Sequence, residues 1–332
     1  RSVTLFLSDL VSLSRTPDTG GWGIKTYLSP GCDVANNTAY WNWSGTLGGT
    51  GAFSLESGQI SLTGGSTNTL VRNNISEAAH SYTRCIVVDS SSTTGLVSDF
   101  NNLYISSNAV YVGSWAGALY TALTNWAAAS HGDSNSLGVA SAFYDVSSRD
   151  FHLRHDSPMI DRGMQLDSVQ EDGDGEARPA GNAADIGYDE FVDSDGDDLA
   201  DEIEETVTLT QADSADSDGD GLPDGWEVEN SLNPLSATGV DGAAGDPDGD
   251  GYSNLFEYRN GSNPRDLLSI PPVPPRITSF SPGGANPMLI EGESLAFSAT
   301  AVDDNQDPVS YSWKKDGSPV SALAGHWQAV AP

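Results

Sequence analysis

The first 190 residues alternate short apolar runs with polar turns and show almost no helical periodicity. Representative apolar runs are residues 85–88 and 103–105, and the segments between such runs are rich in Gly, Ser, Thr and Asn. Short apolar runs bounded by turn residues are typical of β-strands. The pattern therefore predicts a strand-and-turn fold for this part of the chain.

Paired asparagines recur along the same region at intervals of 37 and 28 residues, as Asn36-Asn37, Asn73-Asn74 and Asn101-Asn102. A recurrence of a few dozen residues without helix is typical of a coil that stacks on its neighbours through short parallel strands. Asn suits the corners, since it tolerates left-handed backbone angles and can hydrogen-bond along a ladder. We expect predominantly parallel β-structure over residues 20–165, with Asn37, Asn74 and Asn102 near corners. The alternative is an antiparallel sandwich in which Asn-Asn only marks turns.

Residues 99–190 resemble the C-terminal end of the right-handed parallel β-helix proteins described as choice-of-anchor Q. The stretches that carry this resemblance are Asp99-Phe-Asn-Asn-Leu-Tyr104, Asn125-Trp126, His131-Gly-Asp133, Asp150-Phe-His-Leu153, Asp156-Ser-Pro-Met-Ile-Asp161 with Gly163, Arg178-Pro179 and Asp185-Ile-Gly187. The pattern departs at Tyr188-Asp-Glu190, where Ala-Tyr-Glu is expected. The resemblance implies that residues 1–192 form a right-handed parallel β-helix outside the cell, similar in shape to pectate lyases. A shape alone implies no reaction.

Negative charge is concentrated in residues 193–267, which contain 21 acidic and two basic residues in a chain of formal net charge −33. Three twelve-residue segments in this region align without gaps. Acidic residues occupy positions 1, 3, 5 and 12 of each: Asp193, Asp195, Asp197 and Glu204; Asp216, Asp218, Asp220 and Glu227; Asp246, Asp248, Asp250 and Glu257. Alternate carboxylates of a tight loop can point at one centre, and Ca²⁺ takes six to eight oxygens.

The remaining loop positions complete a calcium-binding pattern. Position 7 offers the backbone carbonyl of Leu199, Leu222 or Tyr252, and position 9 offers Asp201, Asp224 or Asn254, usually through water. Gly221 and Gly251 at position 6 permit a sharp turn, whereas the first loop has Asp198 there, so we expect the first site to be the weakest. Position 11 is apolar in all three loops. A solvated acidic linker, the alternative interpretation, would not keep aligned Gly and apolar positions.

An EF-hand would need an amphipathic helix entering each loop, but residues 211–217 are short and polar. Short exiting helices are expected to end near Asn233-Pro234 and Asn263-Pro264, because proline bars helix continuation. Residues 193–267 therefore resemble thrombospondin type 3 repeats, with dockerin-like loops as a close relative. This resemblance implies structural calcium, which would hold a rigid spacer folded.

The C-terminal part begins with a Pro-rich linker, residues 268–275. The alternating pattern of residues 276–332 resembles an immunoglobulin-like or PKD-like β-sandwich of bacterial surface proteins. These residues are too few for a seven-strand sandwich of about 100 residues, so a partial domain is expected.

Composition excludes several classes of protein. A strongly acidic chain with no basic cluster repels phosphate backbones, so nucleic acid is not an expected partner, and no apolar run is long enough to span a bilayer. Because the chain starts at Arg1, we expect a fragment of a larger secreted or cell-surface protein. Cys32 and Cys85 are expected to be buried thiols, with a disulfide as the alternative.

We expect a non-catalytic adhesin or display scaffold with a calcium-bound spacer. The alternative is a polysaccharide lyase or glycoside hydrolase with its active site partly outside this fragment. A lyase would need a base and a cation beside a uronate, and Lys25, Arg72 and Arg84 are the central candidates. No metal pattern is expected from the histidines, and His152 with His155 is interpreted as a structural turn. Carbohydrate is the first expected partner after calcium, through stacking aromatics: Trp22, Tyr27, Tyr40, Trp41, Trp43 and Phe53.

Overall fold

The computed structural model describes nine stretches of the chain, which are built mostly from β-strands with few helices. The described residues are 10–12, 24–40, 58–79, 83–272, 274–281, 294–303, 309–315, 318–320 and 326–330. The chain divides into two compact units, Arg1–Ala215 and Asp216–Pro332. Of the described helices, none is long and apolar enough to cross a membrane.

Three parallel sheets form the first unit, and consecutive strands fall in different sheets. The strands are β1 (Leu10–Ser12), β2 (Ile24–Tyr27), β3 (Asp33–Ala35), β4 (Thr38–Tyr40), β5 (Ile60–Thr63), β6 (Leu70–Arg72), β7 (Ile75–Ala78), β8 (Arg84–Val88), β9 (Val97–Asp99), β10 (Asn102–Ile105) and β11 (Tyr111–Trp115). The sheet orders are β1-β4-β7-β10, β2-β5-β8-β11 and β3-β6-β9. Every third strand therefore returns to the same sheet, and the predicted parallel structure is confirmed for the described residues up to Trp115.

The register of these sheets places like residues opposite each other in neighbouring strands. Ile24 pairs with Ile60 and Ile60 with Ile86, while Val34 pairs with Val71. Alternate residues of each strand point inward, because successive side chains of a strand face opposite sides. Inward residues such as Leu62, Val88 and Leu103 form one apolar core, and the fully buried Trp126, which lies beyond the strands, packs in the same core.

An asparagine ladder runs through the corner before sheet β1-β4-β7-β10. Asn37 Nδ2 donates to Asn74 Oδ1 at 2.9 Å, and Asn74 Nδ2 donates to Asn101 Oδ1 at 2.9 Å. Asn102 lies beside this corner as the first residue of β10 and pairs with Ile75, while its neighbour Asn101 takes the place in the ladder. The left-handed corner positions are Asn36, Asn73 and Phe100, with φ of 56°, 55° and 55°. The left-handed residues Asn73 and Phe100 are therefore 27 positions apart, one fewer than the 28 that separate the second and third asparagine pairs.

Beyond β11 the described strands pair antiparallel, although parallel strands predominate over residues 20–165 as expected. Strand β12 (Ala118–Tyr120) turns back antiparallel on β11, α1 (Leu123–Ser130) follows, and β13 (Phe143–Asp145) and β14 (Asp150–Leu153) form an antiparallel pair. Asp133 closes the ladder, since its Oδ1 accepts from Asn101 Nδ2 at 3.1 Å and its Oδ2 accepts from Trp126 Nε1 at 2.7 Å.

Residues 143–191 cover the outer face of sheet β1-β4-β7-β10. Tyr40 and Ile75 of that face pack with Phe143, Phe151 and Met159 in a second core. Asn73 makes two hydrogen bonds to this segment. Its Oδ1 accepts from the Met164 N–H at 2.8 Å, and its Nδ2 donates to the Met164 carbonyl at 2.7 Å. The region around residues 156–190, singled out by its motifs, therefore acts as a lid on the strands.

A short helix begins at position 9 of each acidic loop. These helices are α2 (Asp201–Ile203), continued by a π-helical segment Glu204–Thr208, then α3 (Asp224–Glu229) and α4 (Asn254–Asn260). The predicted exiting helices are confirmed for the second and third loops, and both end before the Asn-Pro pairs. The described residues before the second and third loops, 209–215 and 234–245, form turns and bends rather than a helix.

The C-terminal strands are antiparallel. They are β15 (Arg276–Ser281), β16 (Ser294–Val302), β17 (Trp313–Lys315), β18 (Ser318–Val320) and β19 (His326–Val330), paired in the orders β15-β16-β19 and β17-β18. Antiparallel pairing is what a sandwich requires. The assignment of this part to an immunoglobulin-like or PKD-like family stays a prediction.

Candidate metal centres

The three acidic loops, residues 193–204, 216–227 and 246–257, share one backbone conformation. Position 4 is glycine in each loop, and Gly196, Gly219 and Gly249 have φ of 81°, 79° and 79°. Position 6 is also left-handed, with φ of 75° at Asp198, 98° at Gly221 and 96° at Gly251. Sequence reasoning identified the requirement at position 6 but overlooked position 4, although the invariant glycine of the three loops was a readable signal.

In each loop, the carboxylates of the aspartates at positions 1 and 5 accept hydrogen bonds from backbone N–H groups of the same loop. In the second loop, Asp216 accepts from the Gly219 and Gly221 N–H groups, each at 2.8 Å, and Asp220 Oδ1 accepts from the Leu222 N–H at 3.0 Å. In the first and third loops, Asp193 and Asp246 likewise accept from the N–H groups at positions 4 and 6. Backbone donors therefore hold the carboxylates in place, and the aspartate oxygens at positions 1, 3 and 5 come within 4.8 Å of one another in the first and second loops.

The second loop contains carboxylate oxygens that no group among the described residues satisfies. Glu227 is fully buried, and both of its oxygens lack a hydrogen-bond partner. Asp224 is also fully buried, and its Oδ2 has no partner, while its Oδ1 accepts from the Ser217 N–H at 3.0 Å. Asp218 Oδ2 is likewise unsatisfied. A buried carboxylate without a donor is costly, so these oxygens fit a cation ligand set.

The third loop shows the same arrangement. Fully buried Glu257 has one oxygen accepting from Ser262 Oγ at 3.1 Å and the other, Oε2, without a partner. Asp248 Oδ2, Asp250 Oδ2 and the side-chain carbonyl of Asn254 are buried without a partner as well. The predicted ligands at positions 3, 5, 9 and 12 thus carry unsatisfied oxygens in one loop.

Electrostatics in the second and third loops reflect the crowding of negative charge. Burial, and then the charges of Asp220 and Asp218, raise the pKa of Glu227 to about 9. Burial raises the pKa of Glu257 to about 7, with added contributions from Asp248 and Asp250. A bound cation would offset both causes, because it supplies the positive charge that the buried carboxylates lack.

The first loop differs from the other two. Asp201, at position 9, uses both carboxylate oxygens on Ser194, accepting from its N–H at 2.7 Å and its hydroxyl at 2.6 Å. Glu204 is buried, and its Oε1 accepts from the Thr210 hydroxyl at 3.1 Å. Asp198, in the left-handed position, lies 3.2 Å from His155 Nδ1. These contacts are consistent with the expected ranking of the first site as the weakest, although its affinity stays a prediction.

Side chains at positions 7 and 11 behave as packing residues. Leu199 and Leu222 are buried, and their N–H groups donate to the aspartate at position 5, as does the N–H of Tyr252. Among the position 11 residues, Ile203 is buried, whereas Phe256 stacks on Tyr252 with ring centroids 5.3 Å apart. The aligned apolar positions predicted from the sequence are therefore packing positions in the first and third loops.

His152 lies in an acidic surrounding that sequence reasoning missed. Its Nδ1 lies 2.5 Å from Asp150, and its Nε2 lies 3.2 Å from Asp174 and 3.0 Å from Glu202. Burial by itself lowers the pKa of His152, but the Asp150 hydrogen bond and the charges of Asp189 and Glu202 raise it to about 10. A charged imidazole would be a cation among these carboxylates. The ligand atoms of His152, Asp174, Asp189 and Glu202 also lie within 4.8 Å of one another, so this group could hold a metal ion, which the expectation of no histidine metal pattern did not anticipate.

The basic candidates for sugar chemistry do not share a site. Arg72 forms an ion pair with Asp33, Arg84 is buried with its guanidinium 5.8 Å from the Tyr111 ring centroid, and Lys25 lies 5.8 Å from the Tyr27 ring centroid. Each therefore has a local structural contact.

The aromatic candidates divide in the same way. Tyr40 is buried against Phe143 and Phe151, whereas Tyr27 is 61% exposed. Trp22, Trp41, Trp43, Phe53 and His80 lie outside the described residues. Cys32 and Cys85 are buried free thiols, as expected.

Comparison of the chain with protein-family models, with curated proteins and with solved structures finds no match in any of the three. The geometry described above is therefore the basis for assigning a function.

Proposed function

We propose that this chain is a calcium-binding modular surface protein that acts outside the cell. In this proposal, the parallel coils of the first unit display or adhere, and residues 193–267 form a spacer that calcium makes rigid. The observation that carries the proposal is Glu227, whose two carboxylate oxygens are fully buried without a donor among other carboxylates.

Calcium suits the loops better than other common ions. The side-chain ligands are all oxygens, and Ca²⁺ accepts six to eight of them in flexible geometry, whereas Mg²⁺ demands a tighter octahedron and zinc prefers nitrogen and sulfur. Glu227 and Glu257 would each give two oxygens, and Asp220 and Asp250 would each give one. Position 7 would add the carbonyls of Leu222 and Tyr252.

A spacer role follows from the charge of the segment. Twenty-one acidic side chains against two basic ones repel each other, and little apolar mass offsets the entropy of ordering. A metal that binds the folded loops stabilises them by about 2.7 kcal/mol per site at a concentration one hundred times the dissociation constant. With calcium bound the segment would therefore be rigid, and without calcium it would be flexible.

The solenoid part of the proposal is a right-handed parallel β-helix of the choice-of-anchor Q type. It is supported by three parallel sheets that each take every third strand, and by the strong preference of parallel crossovers for right-handed connections. The asparagine ladder and the lid formed by residues 143–191 also fit a coil end. Display or adhesion at a cell surface is the role that such a rod, placed on a calcium spacer, would serve.

The alternative is a polysaccharide-acting enzyme with its groove on the coils. The ion pair of Arg72 with Asp33 and the burial of Arg84 disfavour it, because a lyase needs these groups free to meet a uronate. We expect no unsaturated sugar ends from pectate or alginate, with or without calcium. Ultraviolet-absorbing ends that disappear after Lys25, Arg72 or Arg84 is changed would favour the enzyme instead.

Calorimetric titration of the metal-free chain with calcium tests the proposal. We expect at least two bound ions per chain, and a larger loss of affinity at the second loop from Glu227→Ala than from Asp224→Ala, since the position 9 residue commonly binds through water. Glu229→Gln, an exposed acidic residue of the same helix, is the control and should change little. Proteolysis between residues 193 and 264 should accelerate in chelator. Fewer than two ions, or cleavage that ignores the chelator, would refute a calcium spacer.

A further inference from the structure

The segment 240–245, between the second and third loops, touches both of them. The Ala243 N–H donates to Asp220 Oδ2 of the second loop at 2.5 Å. The Ala243 carbonyl accepts from the Leu255 N–H, in the helix that leaves the third loop, at 3.1 Å. One residue therefore connects a carboxylate of one loop to the backbone of the next.

The oxygen that Ala243 contacts is the one expected to face a metal. At the equivalent position of the third loop, Asp250 uses Oδ1 on the Tyr252 N–H at 2.8 Å and leaves Oδ2 buried without a partner. Asp220 also uses Oδ1 within its loop, on Leu222, so its Oδ2 is the matching ligand atom. A carboxylate oxygen can bind a cation and accept a hydrogen bond at once, so metal and Ala243 would share this atom.

Asn254 anchors the other end of the segment. Its Nδ2 lies within hydrogen-bond distance of the carbonyls of Val240, Asp241 and Gly242, at 2.9, 3.2 and 2.9 Å, and its N–H donates to the Gly245 carbonyl at 2.8 Å. Its side-chain carbonyl, fully buried and unpartnered, remains for the third site. Asp201 and Asp224 at this position of the other loops instead accept from the serine at position 2, and the third loop has Pro247 there, which has no N–H to give.

The segment is tightly packed against itself. A Cβ atom added to Gly242 would lie 2.4 Å from the Ala237 carbonyl carbon, and one added to Gly245 would lie 2.3 Å from the Val240 carbonyl oxygen. Such close backbone approach leaves the segment little room to shift one end without the other.

We propose that the second and third metal sites are energetically coupled through residues 240–245, with Asn254 as a positioning residue of the third site. This inference rests on the proposed function of the loops. Filling the second site fixes Asp220 Oδ2 and with it Ala243, which positions the carbonyls that hold Asn254 and the N-terminal part of α4. By thermodynamic linkage, each ion then raises the affinity for the other by the same factor.

Calcium titrations of the full chain measure this factor, with Glu204→Gln present throughout to weaken the first loop. Glu257→Gln and Glu227→Gln each leave one working site and give the two single-site association constants. The product of the stepwise constants with both sites intact, divided by the product of the single-site constants, is the coupling factor. We expect a factor of about five or more.

Two substitutions break the connection at different points. Asn254→Asp keeps an oxygen at position 9, as Asp224 does in the second loop, but removes the amide donors to residues 240–242. Ala243→Pro removes the N–H that contacts Asp220, and Ala243→Ser, which keeps that N–H, is its control. We expect the coupling factor to fall towards one in the first two variants and to persist in the third.

The possible results separate this inference from the proposed function. A coupling factor of one in the starting protein, or an unchanged factor in both Asn254→Asp and Ala243→Pro, would overturn the coupling while leaving two calcium sites in place. Absence of calcium binding at both loops would instead refute the proposed function.

Discussion

Replacement of Asn74 by alanine tests whether the asparagine ladder holds the coils together. The Asn74 side chain is fully buried. Its Nδ2, with two hydrogens to donate, lies within hydrogen-bond distance of the Val34 carbonyl at 2.8 Å, the Arg72 carbonyl at 2.9 Å and Asn101 Oδ1 at 2.9 Å. Its Oδ1 accepts from the Asn37 N–H at 3.2 Å and from Asn37 Nδ2 at 2.9 Å. One side chain therefore links three successive coils.

The size of the effect follows from the groups left behind. Asn74→Ala leaves the buried Asn37 N–H and one Asn37 amide hydrogen facing a methyl group, and a buried polar group without a partner costs about 1–3 kcal/mol. With two such groups, the expected loss is about 2–6 kcal/mol. Whole domains are stable by only about 5–15 kcal/mol, so this single change should weaken the stacked parallel strands severely.

This loss is measured by urea unfolding in excess calcium, with hydrogen exchange of peptides within residues 58–105 as the readout. Asn108→Ala removes the same atoms from an exposed turn and should stay within about 0.5 kcal/mol of the original protein. If the Asn74 and Asn108 variants unfold at the same urea concentration, the ladder does not stabilise the stack and the argument from unsatisfied groups is wrong.

Two further predictions concern the lid over the strands. Gly187 has φ of 116°, and a Cβ there would come within 2.6 Å of Ile75 Cδ1, so Gly187→Ala should destabilise the first unit by about 2 kcal/mol or more in urea unfolding. Gly175→Ala, at φ of 101° with no atom within 4 Å, is the matched control for backbone strain alone, and equal losses would contradict the packing argument. His152 has its folded pKa raised to about 10, so its stabilising contribution is present below its unfolded pKa of about 6.5 and is lost as pH rises through about 10. The stability difference between the original protein and His152→Gln should therefore shrink over that range, and a difference that stays constant with pH would show that the histidine is not charged there.

The sequence by itself determined the features that depend on local spacing. Positions 1, 3, 5, 6 and 12 of the acidic loops follow from a chain that must turn sharply and point alternate carboxylates at one centre. The exiting helices end before Asn233-Pro234 and Asn263-Pro264 because proline cannot continue a helix. The recurrence of Asn pairs predicted parallel strands, because stacked coils repeat the same corner.

Contacts between residues far apart in the chain were decided only by the tertiary structure. The third member of the ladder is Asn101, because Phe100 takes the left-handed corner that Asn36 and Asn73 occupy in the preceding coils, and a count of asparagine pairs cannot show that one-residue shift. Asp133 closes the ladder from beyond α1, and residues 143–191 return to cover the face of Tyr40 and Ile75. Within residues 193–267, the contacts of Asn254 were invisible for the same reason. Its amide is committed to carbonyls 12 to 14 residues earlier in the chain, and the fold, not the loop pattern, brings them together.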